Sequence, residues 1–161
     1  MNDISLPPIL KLNYKLDKAL LLQQANEAKI NAKPYDNPST TKPPRDEWKI
    51  NRYTSEYIEQ IANDLGIICK PRFFWLAPNT ILGKHKDVST LCSVNFILSD
   101  DIAPITIEGI DYTYSQALLN VQRFHNVING PEERVLLKLS VFDHTFDELY
   151  NKFTNAGLSL I

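Results

Sequence analysis

Three short pieces of this chain carry residue types that could do chemistry. The first is GKHKD, Gly83 to Asp87, in which His85 and Asp87 stand two residues apart. In an extended segment that spacing puts an imidazole and a carboxylate on one face, with Lys84 and Lys86 on the other. One His and one Asp are two-thirds of a two-His, one-carboxylate facial triad, which holds a transition metal and leaves positions open on it. The pair alone is a weak signal. At background Asp frequency, on the order of one chain in five with three histidines would carry it by chance. The plain alternative is a strand end with mixed charges.

The chain has three histidines. His144, in FDHTFDEL, reads as a solvated residue at a helix entry. His125 lies in the apolar run VQRFHNVI, and beside the first pair it is the better third ligand. Nine positions further, past the turn Asn129-Gly130-Pro131, Arg134 heads an apolar strand. A hairpin at that turn would set His125 and Arg134 on adjacent strands. A buried guanidinium needs an anion, and its planar fork suits a carboxylate. A metal with a carboxylate receptor some way off fits a chelating keto acid with a distal carboxylate. The alternatives are an Arg134 paired with Asp or Glu, or exposed at the turn.

The elements that must position these residues change in texture along the chain. Leu16 to Ile30 reads as a helix with Asp17 near its start. KPYDNPSTTKPPRDEW, residues 33 to 48, holds four prolines and reads as a loop, either a lid or a structural wrap. A second amphipathic helix runs between Thr54, read as its N-cap, and Gly66, with Tyr57, Ile58, Ile61 and Leu65 at helical spacing. From residue 70 short segments rich in β-branched and aromatic residues follow one another, punctuated by turn formers such as Glu108-Gly109. That pattern predicts an antiparallel sandwich or barrel. Thr145 to Glu148 is a capping box that opens a last helix, with Gly157 past its end.

The expected architecture is mainly β with flanking helices, one domain over 1–161. Residues 1–69 supply helices and loop, 70–143 the β core and 144–161 the C-terminal helix. Within RVLLKLSV, Val135, Leu137, Leu139 and Val141 point one way, and Arg134, Leu136, Lys138 and Ser140 the other. In LCSVNFIL, Cys92, Val94 and Phe96 oppose Ser93, Asn95 and Ile97. One face is wholly apolar and suits packing under helices. The other mixes polar and apolar groups, as a ligand-holding interior requires.

Composition narrows the function classes. The 161 residues suffice for a real core, and a 43% hydrophobic, 22% charged make-up is ordinary for a globular protein. A net charge of −2 argues against a general nucleic-acid binder. Cys69 and Cys92 sit in apolar surroundings outside any CxxC pattern and read as reduced, buried thiols. MNDISLPPIL does not read as a signal peptide, and no apolar run approaches the roughly 20 residues that span a membrane. The expectation is a cytoplasmic protein that does not engage membranes, of undetermined subunit number.

LAPNTILGKHKD, then a strand, then RFHNVINGPEERVLLKLSV, resembles the Fe(II)/2-oxoglutarate-dependent oxygenases, in particular their aspartyl/asparaginyl β-hydroxylase-like and prolyl-hydroxylase-like members. The resemblance covers roughly residues 72 to 143. It implies a double-stranded β-helix, a jelly-roll form shared with cupins. It implies Fe(II) held by His85, Asp87 and His125 as the catalytic centre, with Arg134 on the far carboxylate of 2-oxoglutarate. Asn95 would contact the near carboxylate or the chain of the keto acid, Ser93 and Ser140 are further co-substrate candidates, and Trp75 could line a substrate pocket, although a core tryptophan is its first reading. The activity implied is O₂-dependent hydroxylation of a C–H bond, with release of succinate and CO₂. The substrate would be an amino acid, a protein or peptide residue, or a small metabolite. Where the family pattern leads one to expect Arg and His on the strand after the first ligand, this chain has Ser93 and Asn95. The competing classes are a non-enzymatic cupin-like metal- or ligand-binding module, a metal-free jelly-roll interaction domain and a zinc hydrolase.

Overall fold

A computed structural model describes residues 5–35, 45–100 and 103–160. The chain forms strands β1 (Ile9–Lys11), β2 (Lys33–Tyr35), β3 (Arg45–Arg52), β4 (Cys69–Leu76), β5 (Ile81–His85), β6 (Cys92–Ile97), β7 (Ile105–Ile107), β8 (Ile110–Tyr112), β9 (Gln116–Leu119), β10 (His125–Ile128) and β11 (Arg134–Val141). Helices α1 (Lys18–Ala28) and α2 (Glu56–Leu65) precede β4, and α3 (Phe146–Asn155) follows β11.

The strands make two antiparallel sheets. The major sheet runs β1-β9-β6-β11-β4-β3-β2 and the minor sheet β5-β10-β7-β8. From β4 to β11 the chain passes back and forth between the sheets, and only β7 and β8 stay together as a hairpin. Glu108 (φ 49°) and Gly109 (φ 83°) form its tip, the left-handed pair that a two-residue turn demands. This alternation makes the core a double-stranded β-helix, the form the resemblance implies and one kind of the antiparallel sandwich or barrel that the strand pattern predicts.

Side-chain parity sorts the core into two layers. Val135, Leu137, Leu139 and Val141 of β11 face outward beneath the helices, with Phe73 and Trp75 of β4 and Val94 and Phe96 of β6. Onto them pack Leu21 and Ala25 of α1, Ile58, Ile61 and Leu65 of α2, and Phe146, Leu149 and Phe153 of α3. Each such fully buried aliphatic side chain contributes roughly 2 kcal/mol. The opposite face, with Phe74, Leu76, Ile97, Leu119 and Leu136, looks across at Ile105, Ile107 and Val127 of the minor sheet. The functional cleft opens in this inner layer.

Local signals place the helices with small shifts from the sequence reading. Asp17 caps α1 by accepting from the amide of Leu20. The helical residues run from Lys18, and a 3₁₀ turn follows over Lys29–Asn31. At α2 the cap is Ser55 rather than Thr54, because the Ser55 hydroxyl accepts from the Ile58 amide and donates to Gln24. Gly66, at φ 66°, ends α2 in the left-handed conformation. The capping box of Thr145 and Glu148 opens α3.

Two expectations need correction. The N-terminal third supplies strands as well as helices: β1, β2 and β3 widen the major sheet at both edges. The proline-rich stretch 33–48 therefore begins and ends in strand, and its middle, 36–44, lies outside the described residues. The second correction concerns the turn before Arg134. Strands β10 and β11 do not pair as a hairpin; β10 lies between β5 and β7, whereas β11 lies between β4 and β6. The link over 129–133 carries the chain from one sheet to the other. The Asn129 amide nitrogen anchors it, lying 3.0, 2.9 and 3.0 Å from the carbonyl oxygens of Leu76, Ala77 and Glu132.

Cys69 and Cys92 are free thiols, Cys92 buried and Cys69 half-buried. Burial pushes Cys69 up to about 11 and Cys92 up to about 12, which leaves both protonated and unreactive. Among the described residues no helix is long and apolar enough to cross a membrane.

Candidate functional site

His85 ends β5 and His125 begins β10, and the two are direct cross-strand partners. Directly opposed residues share a face, so both rings turn inward, with centroids 4.3 Å apart. Asp87 follows two residues after His85, its amide donating to the carbonyl of Val121 at 2.9 Å. Its Oδ1 lies 3.7 Å from Nε2 of His85 and 3.6 Å from Nε2 of His125. The three ligand atoms fall within 4.8 Å of one another.

The ring orientations fit a metal. Nδ1 of His85 lies 2.6 Å from the carbonyl oxygen of Gly83, and Nδ1 of His125 lies 2.8 Å from that of Arg123. A carbonyl only accepts, so each Nδ1 carries the proton and each Nε2 keeps its lone pair. This arrangement is how metal-ligating imidazoles are oriented from behind. Burial holds both histidines below the ordinary imidazole range, and for His125, lowered to about 4, the neighbouring His85 adds to the effect. Burial alone would raise Asp87, but the ammonium of Lys138, 2.6 Å from Oδ2, outweighs it and holds the carboxylate ionised. Two neutral imidazoles and one carboxylate therefore meet at one point near neutral pH, the donor set suited to a divalent transition metal.

These shifts carry a consequence for the metal-free protein. His125 titrates at about 4 when folded, against an ordinary 6.5, so the unfolded chain takes up a proton first as pH falls. Stability is full above pH 6.5 and is lost progressively down to about pH 4, by on the order of 3 kcal/mol in total. Denaturant midpoints measured at pH 7.5 and pH 5 should fall on acidification. Equal midpoints would mean that the imidazoles titrate normally.

Across the inner layer, Arg134 begins β11 and is 2% exposed. Its Nη1 donates to the carbonyl of Ala103, its guanidinium lies over the Tyr114 ring at 6.0 Å, and its Nε has no hydrogen-bond partner. Among the described residues no carboxylate pairs with it. Among the described residues this buried cation has an aromatic ring and one carbonyl beside it and no anion. Asn95 donates to the Tyr114 hydroxyl at 3.2 Å, and its Oδ1 is a buried acceptor without a partner.

His85, His125, Arg134 and Asn95 all line one cleft, with Trp48, Phe74 and Lys138 among its other walls. Three sequence-derived candidates lie elsewhere. Ser140 accepts from Arg72 at 2.9 Å, and Ser93, its cross-strand neighbour, is fully buried; neither lines the cleft. They sit on the inward face but further along the strands, beyond Lys138 and Asn95. Trp75 has the opposite parity and packs against Phe73 under the helices, 6.1 Å between ring centroids, so it is a core residue. His144 is half-buried outside the cleft, its Nδ1 3.0 Å from Asp143 Oδ2. The sequence reading did not single out Lys138, Tyr114 and Trp48. Lys138 carried a readable signal, a second charge beside Arg134 at inward parity in a largely apolar strand.

No protein-family model matches the sequence, and no curated protein matches it. Solved structures do match the fold. A prolyl-4-hydroxylase from Pseudomonas putida superposes with a TM-score of 0.63 at 14% identity, over 84% of this chain and 92% of that one. A prolyl hydroxylase from Trichoplax adhaerens, in complex with a hypoxia inducible factor oxygen degradation domain peptide fragment, gives 0.60 at 13% identity, over 84% and 82%. An oxidoreductase of the 2OG-Fe(II) oxygenase family from Burkholderia pseudomallei gives 0.55 at 13% identity, over 79% and 81%. At such identities the likeness is one of architecture, and the chain has the double-stranded β-helix fold of the prolyl-hydroxylase-like 2-oxoglutarate/Fe(II) oxygenases.

Proposed function

We propose that this protein is an Fe(II)- and 2-oxoglutarate-dependent oxygenase that hydroxylates a C–H bond of an amino acid, a protein residue or a small metabolite. The observation that carries the reading is the pairing of two sites in one cleft: a buried two-His, one-carboxylate cluster and, across from it, a buried guanidinium without a carboxylate partner among the described residues. A zinc hydrolase or a simple metal-binding module accounts for the first site and leaves the second unexplained.

His85, Asp87 and His125 would hold Fe(II) through Nε2, Oδ1 and Nε2. Arg134 would take the distal carboxylate of 2-oxoglutarate in a bidentate grip, held flat by the Tyr114 ring. Asn95, beside Tyr114, would take part in positioning the keto acid. Fe(II), 2-oxoglutarate and O₂ together supply the oxidising chemistry, with succinate and CO₂ as by-products of hydroxylation. The apolar walls of the cleft, Phe74, Leu82 and Val127 among them, exclude water from the reacting centre. The peptide held by the Trichoplax neighbour supports a peptide or small-molecule substrate here.

The test is an anaerobic titration of the metal-free protein with Fe(II) and then 2-oxoglutarate. A visible metal-to-ligand charge-transfer band that saturates at one equivalent of each is expected. Iron binding without a band would leave a binding module, and no iron binding would refute the metal site.

A further inference from the structure

We propose that Lys138 makes Asp87 a one-oxygen ligand and thereby keeps open the coordination position that O₂ chemistry needs. The inference rests on the metal reading above. Lys138 lies on the inward face of β11, and its ammonium is 2.6 Å from Oδ2 of Asp87. The other oxygen, Oδ1, is the one that faces both imidazoles, at 3.7 and 3.6 Å. The carboxylate is thus divided, one oxygen held by an ammonium and the other aimed at the metal position.

The division is well enforced. Lys138 pairs with Arg72 of β4 on one side and Asn95 of β6 on the other, in the interior of the major sheet. The Lys138 and Asp87 side chains are only 12% and 9% exposed, and the Phe74 ring lies 5.8 Å from the ammonium. A buried ammonium cannot give up its anion cheaply. The Asp87 backbone is fixed as well, its amide donating to the Val121 carbonyl.

Counting positions shows why this matters. A carboxylate that chelates through both oxygens would, with two imidazoles, fill four of six octahedral positions. The remaining two are what a chelating keto acid takes, and nothing would be left. With Oδ2 held by Lys138, three positions stay open, two for the keto acid and one more. Lys138 is a positioning residue in this account, acting through Asp87. If it merely neutralised a buried charge, its removal would affect stability and leave the count of open positions unchanged.

Mn(II) is the probe, and water-proton relaxation is the readout, because it reports water bound to the metal whether or not the protein turns over. Wild type would be compared with Lys138→Met, Lys138→Thr and Lys138→Arg, each checked for folding by circular dichroism. With Mn(II) alone, the Met and Thr variants should lose about a third of the relaxation enhancement, three waters falling to two. With saturating 2-oxoglutarate, wild type and the Arg variant should keep a residual enhancement, and the Met and Thr variants should keep none. Enhancement equal to wild type in the folded Met or Thr variant would overturn the role of Lys138. A keto acid that changes nothing in wild type would instead refute the 2-oxoglutarate reading, and the comparison with Mn(II) alone would still decide the role of Lys138.

Discussion

His125→Ala is expected to abolish iron binding while leaving the fold in place. Loss of this imidazole would remove one of the three proposed ligands, and Oδ1 of Asp87 and Nε2 of His85 could not close a facial site alone. Removal of a group that hydrogen-bonds a metal ligand from behind typically costs about 10- to 100-fold in metal affinity, so loss of a ligand should cost more than about 100-fold. The fold should tolerate the change because His125 belongs to the inner cleft, whereas the larger hydrophobic layer lies under the helices. Titration of the metal-free variant with Fe(II), alongside a thermal melt, checks both halves. Near-wild-type iron affinity in a folded His125→Ala protein would mean that the cluster is not the metal site.

Arg134 should behave in the opposite way. Arg134→Met is expected to keep Fe(II) and to weaken 2-oxoglutarate binding by on the order of 100-fold or more, since a desolvated charge pair is worth several kcal/mol. The same substitution should stabilise the protein without the keto acid. The guanidinium is 2% exposed, its Nε lacks a partner, and a methionine of similar length fills the space without burying a charge. A raised melting temperature together with lost keto-acid affinity would mark Arg134 as a residue kept for binding rather than for stability. Retained affinity would sink its assignment as the carboxylate receptor.

Much of this was legible from local sequence, and the rest failed for a physical reason. Alternation along RVLLKLSV sorted both faces of β11, because a strand has a period of two and one face is wholly apolar. His85 and Asp87 could be read as a pair because their relation is local. The relation of β10 to β11 is not local. Asn129-Gly130-Pro131 has the composition of a hairpin turn, but which strands the two sides join is decided by partners far away in sequence, β5 and β7 for one and β4 and β6 for the other. Strands β1 and β2 are three residues each, too short to show a period. Lys138 could be placed on the inner face from the sequence, but its role could not, since Asp87 is 51 residues away. Trp75 reads from sequence as a core tryptophan before a pocket one, and its parity puts it on the far side of the sheet.

The anchored link between the sheets has one more effect. Asn129 binds the carbonyls of Leu76 and Ala77, where β4 ends, and of Glu132, just before Arg134. His125 stands at one end of this short span and Arg134 at the other. The link therefore works as a ruler: it sets how far Arg134 stands from the cluster of His85, Asp87 and His125, and with it the length of a dicarboxylic keto acid that would bridge the two.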